Sequence, residues 1–198
     1  MISKRLMDVA FGTALALLSL PVQVVVAVAI RLTMGRPVLF RQVRPGLKGQ
    51  PFTMYKFRTM LNTQGTDGKL LPDHSRVTRL GMFLRRASLD ELPELWSVLK
   101  GDMSLVGPRP LLVEYLELYS PEQARRHESK PGLTGLTQVS GRNALSWENR
   151  LELDVWYVDN RNLWLDLRIL FKTVWQVLAR RGISAPGHVT MPKFKGGS

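Results

Sequence analysis

The segment RRASLDELPELW, residues 85–96, places Asp90, Glu91 and Glu94 within five positions, directly behind Arg85 and Arg86. Adjacent carboxylates can divide labour, one attacking as a nucleophile and the other serving as base or metal ligand. A helix start beside them would keep a carboxylate ionised and would stabilise a phosphoryl group carried on it. The same residues have a plainer use. Ser88, three residues before Glu91, has the spacing of a capping box, and acids in a first helical turn offset the positive end of the dipole. With Ser88 as N-cap, Pro93 falls where a hydrogen bond is expected; with Asp90 as N-cap, it falls among the unpaired donors. Either way Asp90 lies at or just before a helix N-terminus, and locally both uses stand.

Cations that could serve such acids sit in turn-forming motifs: Lys56 and Arg58 in YKFRTM, Arg85, Arg109 in GPRP and Arg142 in SGR. Guanidinium groups pair bidentately with phosphate, so their convergence would suit a diphosphate substrate. Each alone is equally an ordinary solvated charge. Other phosphate-holding devices are missing from the sequence. It has no GxGxxG and no GxxxxGK[ST], and His74, His127 and His188 lack zinc spacing. Phosphate binding therefore falls to Arg, Lys and Mg2+, with Asp90 and Glu91 as the acids available to the metal.

The setting is strongly basic, with 28 Lys and Arg against 16 Asp and Glu for a net charge of +12. That charge attracts polyanions, whether nucleic acid, anionic lipid or a phosphate-rich small molecule. The 198 residues suit one ordinary domain with a small appendage, and 44% hydrophobic content predicts that most of it folds. Zero cysteines exclude disulfides and thiolate metal sites.

The elements that must position these residues are partly legible. Residues 38–43 and 52–57 are rich in β-formers and flank RPGLKGQP, which predicts a strand pair with a long turn. NTQGTDGKLLPDHS is a polar surface loop. A helix is expected over 77–86 and another from the acidic cluster to Lys100, stopped by Gly101. GPRP reads as rigid loop, and KPGLTGLTQVSGR carries too many Gly and turn residues for a helix interior. Residues 165–181 read as a helix, with Asp166 at its start and Arg180 and Arg181 at its end. Trp156, Tyr157, Trp164, Phe171 and Trp175 cluster in or just before it. They suit a helix in a membrane interface and equally one packed on the core.

Residues 9–30 carry no charge, enough for one helix to cross a ~30 Å hydrocarbon core. Pro21 interrupts the run, and Lys4 and Arg5 before it match Arg31, Arg36, Arg41 and Arg44 after it. Positive flanks stay on the cytoplasmic side, so both ends prefer the same face. A helix that enters, breaks at Pro21 and returns satisfies these facts, with the Ser19 hydroxyl as the nearest partner for freed backbone groups. A single span, a signal peptide ending at Ala27-Val28-Ala29, and a buried core helix are the other readings.

The motifs DVAFGTALALLSLP, FRQVRPGLKGQPFTMYKFRTM, SLDELPELWSVLKGDMSLVGPRPLL, KPGLTGLTQVSGR and LDLRIL, in this order, resemble the bacterial sugar transferase family, the small monotopic phosphoglycosyl transferases. The likeness covers nearly the whole chain, and GPRPLLVEY and GRNALSWE are most similar to the PglC type. It implies a mostly helical α/β catalytic domain with a small β-hairpin, an N-terminal re-entrant membrane helix and amphipathic interfacial helices. The division would be 1–36 for the membrane hairpin and 37–198 for the cytosolic domain. The implied reaction moves a sugar 1-phosphate from a UDP-sugar to undecaprenyl phosphate, releasing UMP, at the cytoplasmic face of the bacterial inner membrane. It would pass through a covalent phosphosugar on Asp90, with Glu91 assisting the lipid phosphate or the Mg2+ site. Substrate-binding roles carry over to Lys56, Arg85, Arg109 and Arg142, and more weakly to Arg58 and Asp154. Membrane lipid is an implied partner, nucleic acid is not, and a homodimer stays open. The family's adjacent Ser-Pro pair at the helix break is here Ser19-Leu20-Pro21. Glu94 is left to the helix, with only a mild effect expected from Glu94→Gln. The rivals are a glycosyltransferase releasing UDP and a basic membrane-bound scaffold or nucleic-acid binder.

Overall fold

A computed structural model describes residues 2–141, 145–178 and 193–196. Its first element, α1 (Ile2–Thr33), is helical on both sides of Pro21, which stands inside it and does not end it. Proline removes the donor that Leu17 would receive and crowds its carbonyl. Polar side chains gather at this point. Ser19 Oγ donates to the Ala16 carbonyl at 3.3 Å and accepts from Gln23 Nε2 at 2.9 Å. Asp8, Gly12, Ala16, Gln23, Val26 and Ile30 form the buried face, while Leu17, Leu18, Val25 and Leu32 are exposed.

Both ends of α1 are fastened to one body. At the start, Lys4 Nζ meets Asp166 Oδ2 at 2.6 Å, and Arg5 donates to the Val98 and Leu99 carbonyls at 2.6 Å each. Asp8, buried, accepts from Ser104 Oγ at 3.0 Å and the Leu105 N–H at 2.9 Å. At the other end Val26 and Ile30 pack with Phe57 and Leu84.

Strands β1 (Leu39–Pro45) and β2 (Pro51–Phe57) pair antiparallel from Leu39↔Phe57 to Pro45↔Pro51, as the β-forming runs predicted. The polar loop follows, closing on a single helical turn, α2 (Asp73–Arg76). Helix α3 (Arg79–Arg86) begins at Thr78, whose hydroxyl accepts from the Gly81 N–H. A methyl on Gly81 would overlap the Thr59 carbonyl, so glycine here lets α3 lie against the end of β2.

The acidic segment departs from the expected cap. Ser88 has φ 54 and its side chain caps nothing; residues 89–91 form a 3-10 turn, and Pro93 is the residue that begins α4 (Glu94–Lys100). A left-handed backbone at Ser88 turns its hydroxyl away from the donors that a capping box would satisfy. Gly101, at φ 95, ends α4 as predicted.

Strand β3 (Ser104–Val106) follows, then α5 (Pro121–Ala124), and β4 (Gly132–Thr134), which pairs parallel with β3. Next comes α6 (Leu136–Ser140), which corrects the expectation that KPGLTGLTQVSGR holds no helix. Its glycines flank the helix at 135 and 141 rather than interrupt it. Helices α7 (Trp147–Asn160) and α8 (Leu163–Leu178) are the last helices among the described residues. Leu95, Val98, Met103, Leu105, Val106, Val139, Tyr157 and Ile169 form the main core, and Ala16 of α1 belongs to it. Of the clustered aromatics, Tyr157 is buried, whereas Trp156, Trp164, Phe171 and Trp175 are exposed.

The GPRP loop is pressed against the β4 segment through backbone alone. A methyl on Gly132 would overlap the Gly107 nitrogen, and one on Gly107 would overlap the Lys130 carbonyl. Gly132→Ala should lower stability by about 2–3 kcal/mol, because only backbone can move out of the way. Gly12→Ala, whose methyl meets only the side chains of Leu99 and Val98, should cost far less. Thermal or denaturant unfolding of the two variants checks the contrast.

Candidate active site

Strand β2, the turn at 89–91, α4 and the GPRP loop bring four charged side chains together. Lys56 Nζ donates to Glu91 Oε1 at 2.7 Å, and Arg109 Nη2 donates to the same oxygen. Glu94 Oε1 lies 3.0 Å from Lys56 Nζ but off the line of a hydrogen bond. Glu94 is only 2% exposed. Asp90, half-buried beside them, has no hydrogen bond or ion pair among the described residues. Arg85 contributes to its field and donates through Nε to Thr59 Oγ1 at 3.0 Å.

The fields around the three acids differ. Burial raises the pKa of Asp90, the Glu91 charge adds to that, and Lys56, Arg109 and Arg85 oppose it. Burial pushes Glu91 the same way, but Arg109 and Lys56 outweigh it and hold the carboxyl well below the usual range. Glu94 is pushed up to about 7, first by burial and then by Glu91, with Lys56 opposing. Burial alone would lower Lys56; Glu91 and Glu94 reverse that and raise it. One acid is thus locked ionised, one is uncommitted, and one is strained by burial.

Arg109 is aimed from behind. Its carbonyl accepts from Arg126 Nη2 at 2.7 Å, and Arg126 is paired with Asp154 Oδ2 at 2.6 Å. Thr137 Oγ1 donates to the other Asp154 oxygen at 2.6 Å. Arg126 and Asp154 are both buried, so Asp154 supports the GPRP loop rather than lining the cluster.

Of the residues expected from sequence, Lys56, Arg85, Asp90, Glu91 and Arg109 converge. Arg58 does not. Strand pairing ends at Phe57, so Arg58 escapes the alternation that would set it beside Lys56. It is buried at the end of α1, donating to the carbonyls of Met34, Gly35 (3.2 Å) and Arg36 (3.0 Å). Arg142 lies outside the described residues. Ser19 and Pro21 belong to α1 and take no part in the cluster.

Glu94, expected to serve the helix alone, and Arg44, expected only to flank the apolar run, also stand at the cluster, and Arg126 behind it had no sequence signal. Glu94 carried a signal: positions 90, 91 and 94 share one face of a helical turn. Arg44, half-buried on β1, bonds Gln42 Oε1 at 2.7 Å, and its pKa is lowered to about 10 by burial and by Arg109. Among the described residues no group of three or more His, Asp or Glu is arranged to hold a metal.

The Glu94 shift has a consequence for stability. Its proton leaves near 4.5 in the unfolded chain and near 7 in the folded one. Folding therefore favours the protonated form, a benefit present below about 4.5 and lost as pH rises through about 7. Above that, the ionised carboxylate should cost on the order of 3 kcal/mol. Glu94→Gln removes this dependence. Its unfolding midpoint should gain on that of the parent between about pH 5 and about pH 8, a trend that parallel melts measure.

The family model described as bacterial sugar transferase matches residues 1–180. The uncharacterized sugar transferase EpsL of Bacillus subtilis (strain 168) is 54% identical over 99% of this chain and 97% of its own length. The UDP-glucose:undecaprenyl-phosphate glucose-1-phosphate transferase of Klebsiella pneumoniae is 40% identical over 89% of this chain. A protein of that same name from Caulobacter vibrioides is 43% identical over 88%. The chain spans 40% of the length of the Klebsiella protein and 69% of the Caulobacter one. With the family model matched over nine-tenths of its length and the cluster of Lys56, Asp90, Glu91 and Arg109 assembled inside that match, this chain belongs to the bacterial sugar transferase family.

Proposed function

We propose that the chain is a phosphoglycosyl transferase that moves a sugar 1-phosphate from a UDP-sugar to undecaprenyl phosphate, releasing UMP. The donor and acceptor classes are those in the names of its relatives. The observation that carries the reading is the contrast between two adjacent acids: Glu91 is tied to Lys56 and Arg109, and Asp90 beside it is uncommitted among the described residues. An uncommitted carboxylate facing several cations can attack a phosphorus whose oxygens those cations hold.

In this mechanism an Asp90 oxygen bonds to the sugar-bearing phosphorus. The bond from that phosphorus to the bridging oxygen breaks, and UMP leaves with the electron pair. An oxygen of the polyprenyl phosphate then attacks the same phosphorus, the bond to Asp90 breaks, and the carboxylate is restored. Glu91, held far below the usual range, is a poor proton acceptor and serves better as the anchor of Lys56 and Arg109. The lipid phosphate needs no strong base, since a phosphomonoester's second pKa is about 6.

Arg44, Lys56, Arg85 and Arg109 roughly balance Asp90, Glu91 and Glu94, so the negative charge of a diphosphate would exceed what the side chains offset. Mg2+ suits such a place, because it takes one or two carboxylates and completes its shell with phosphate oxygens and water. Asp90 fits as the protein ligand, and Glu91 has one oxygen not engaged by Lys56 and Arg109. When bound there, Mg2+ would offset charge on the phosphoryl oxygens.

We assign residues 1–36 to a re-entrant membrane hairpin and 37–198 to a domain at the cytoplasmic face of the inner membrane. Support comes from α1, whose two ends are fastened to the same body while its outer face exposes Leu17, Leu18 and Val25. A water-facing body bound to both ends of a helix keeps those ends on one side of a bilayer. Helix α8 suits the interface, presenting Trp164, Leu167, Phe171 and Trp175 with Arg168 and Lys172.

Asp90→Asn should lower UMP release at least about 10³-fold and abolish a radiolabelled sugar-phosphate adduct, with Mg2+ and both substrates present. Retained turnover sinks the mechanism, and UDP in place of UMP selects the rival glycosyltransferase. The cysteine-free chain also permits a topology test. Ser3→Cys and Thr33→Cys, at the two ends of α1, should both react with an impermeant maleimide from the cytoplasmic side; opposite sides would exclude the hairpin.

A further inference from the structure

Glu94 is the one acid of the cluster for which the proposed reaction gives no task, yet it is the most deeply buried of the three. An acid that merely complements the dipole of α4 could do so from the surface. Here the helix turns Glu94 inward with Leu95, Ser97 and Val98. Its Oε1 lies inside the protein without a hydrogen bond, and its near neighbour is the ammonium of Lys56 at 3.0 Å. Burying a carboxylate in this way is costly unless a charge faces it.

Lys56 stands at the end of a flexible stem and has three donors. One goes to Glu91, an oxygen it must share with Arg109. Glu94 lies 3.0 Å away as its second anionic neighbour, and Glu91 is the one hydrogen-bond acceptor that the ammonium meets among the described residues. Without Glu94 the ammonium would be held at one point only, by an acceptor already claimed by a guanidinium. An arriving diphosphate competes for both cations, and Lys56 would then be free to swing with it.

We propose that Glu94 is a positioning residue: its buried carboxylate gives Lys56 a second fixed point, so that the ammonium stays beside Glu91 with one N–H left for the substrate's phosphate. The inference rests on the phosphoryl-transfer reading above and replaces the view of Glu94 as a helix acid only. It acts through Lys56 on the chemical step, where charge gathers on the transferred phosphoryl group, more than on binding.

The test uses the full chain in detergent or lipid nanodiscs, with UDP-sugar, undecaprenyl phosphate and Mg2+. Glu94→Gln keeps the reach and shape but not the charge. Its kcat for UMP release should fall about tenfold with KM for the UDP-sugar changed less than about twofold. Its unfolding midpoint at neutral pH should be no lower than the parent's, which separates lost positioning from lost structure. Full kcat, a loss carried by KM alone, or a loss accompanied by a lower midpoint overturns the proposal.

The link to Lys56 is read on stability, where no turnover is needed. Lys56→Met leaves Glu94 buried without its cation, so adding Glu94→Gln to that variant should raise the midpoint more than it does in the parent. Equal shifts in both backgrounds mean that the two side chains are uncoupled, and the proposal fails. Glu94→Gln at full activity beside an inert Asp90→Asn defeats this inference alone; an active Asp90→Asn defeats the reading beneath it.

Discussion

The cluster depends on a single half-buried acceptor. Glu91 Oε1 receives Lys56 from β2 and Arg109 from the GPRP loop, and the turn at 89–91 that carries it also presents Asp90. Three segments far apart in sequence are thereby pinned to one oxygen. Charge-assisted hydrogen bonds are strong enough for this only when shielded from water, and the core of Leu95, Val98, Met103 and Leu105 beneath α4 provides the shield. Losing that oxygen would leave two cations facing each other in a half-buried space, a far larger penalty than losing a surface pair.

A chain with a net charge of +12 has few acids, and it places several of them inside. Asp8, Glu94, Asp154 and Asp166 are all buried, and each holds a joint between segments distant in sequence. Asp166 ties α8 to Lys4, Asp8 ties α1 to β3, Asp154 ties α7 to Arg126, and Glu94 faces Lys56. Most of the remaining cations are on the surface, where they suit an anionic membrane. Because α1 shares two core clusters with the rest of the chain, the proposed boundary at residue 36 does not delimit a separable folding unit.

What could be read from sequence was whatever depends on local backbone chemistry. The strand pair followed from β-formers on either side of a Gly-Pro turn, and the end of α4 from Gly101. What failed depended on tertiary partners. The capping-box spacing at Ser88 is genuine, but the left-handed backbone there leaves its side chain without a capping hydrogen bond. The same signature operates at Ser120, where Gln123 completes a capping box that the sequence reading passed over. Strands β3 and β4 are three residues each, too short for periodicity to reveal. Convergence of Lys56, Arg85 and Arg109 on Asp90 and Glu91 came from resemblance, since nothing in their spacing along the chain requires it. Glu94 was left to the helix because an acid in a first helical turn has a sufficient local explanation.

Two cations connect the apolar helix to the site: Arg5, one of its expected flanking charges, and Arg58, expected instead among the substrate-binding residues. Arg5 donates to the last carbonyls of α4, at Val98 and Leu99, while the opposite end of α4 begins at Glu94. Arg58, two residues beyond Lys56, binds the carbonyls of Met34, Gly35 and Arg36, in the segment just past the end of α1. The start of the apolar helix thus holds the helix that carries Glu94, and the segment just past its other end is held by Arg58, directly after the strand that carries Lys56. Seven residues of α4 span only about 10 Å, so a shift of α1 would reach the carboxylates with little room for the fold to absorb it. If α1 sits in the bilayer as proposed, the depth at which it lies also sets the height of Asp90 above the lipid surface. Under that proposal the coupling between helix depth and site would rest on two guanidinium groups and the backbone carbonyls they bind.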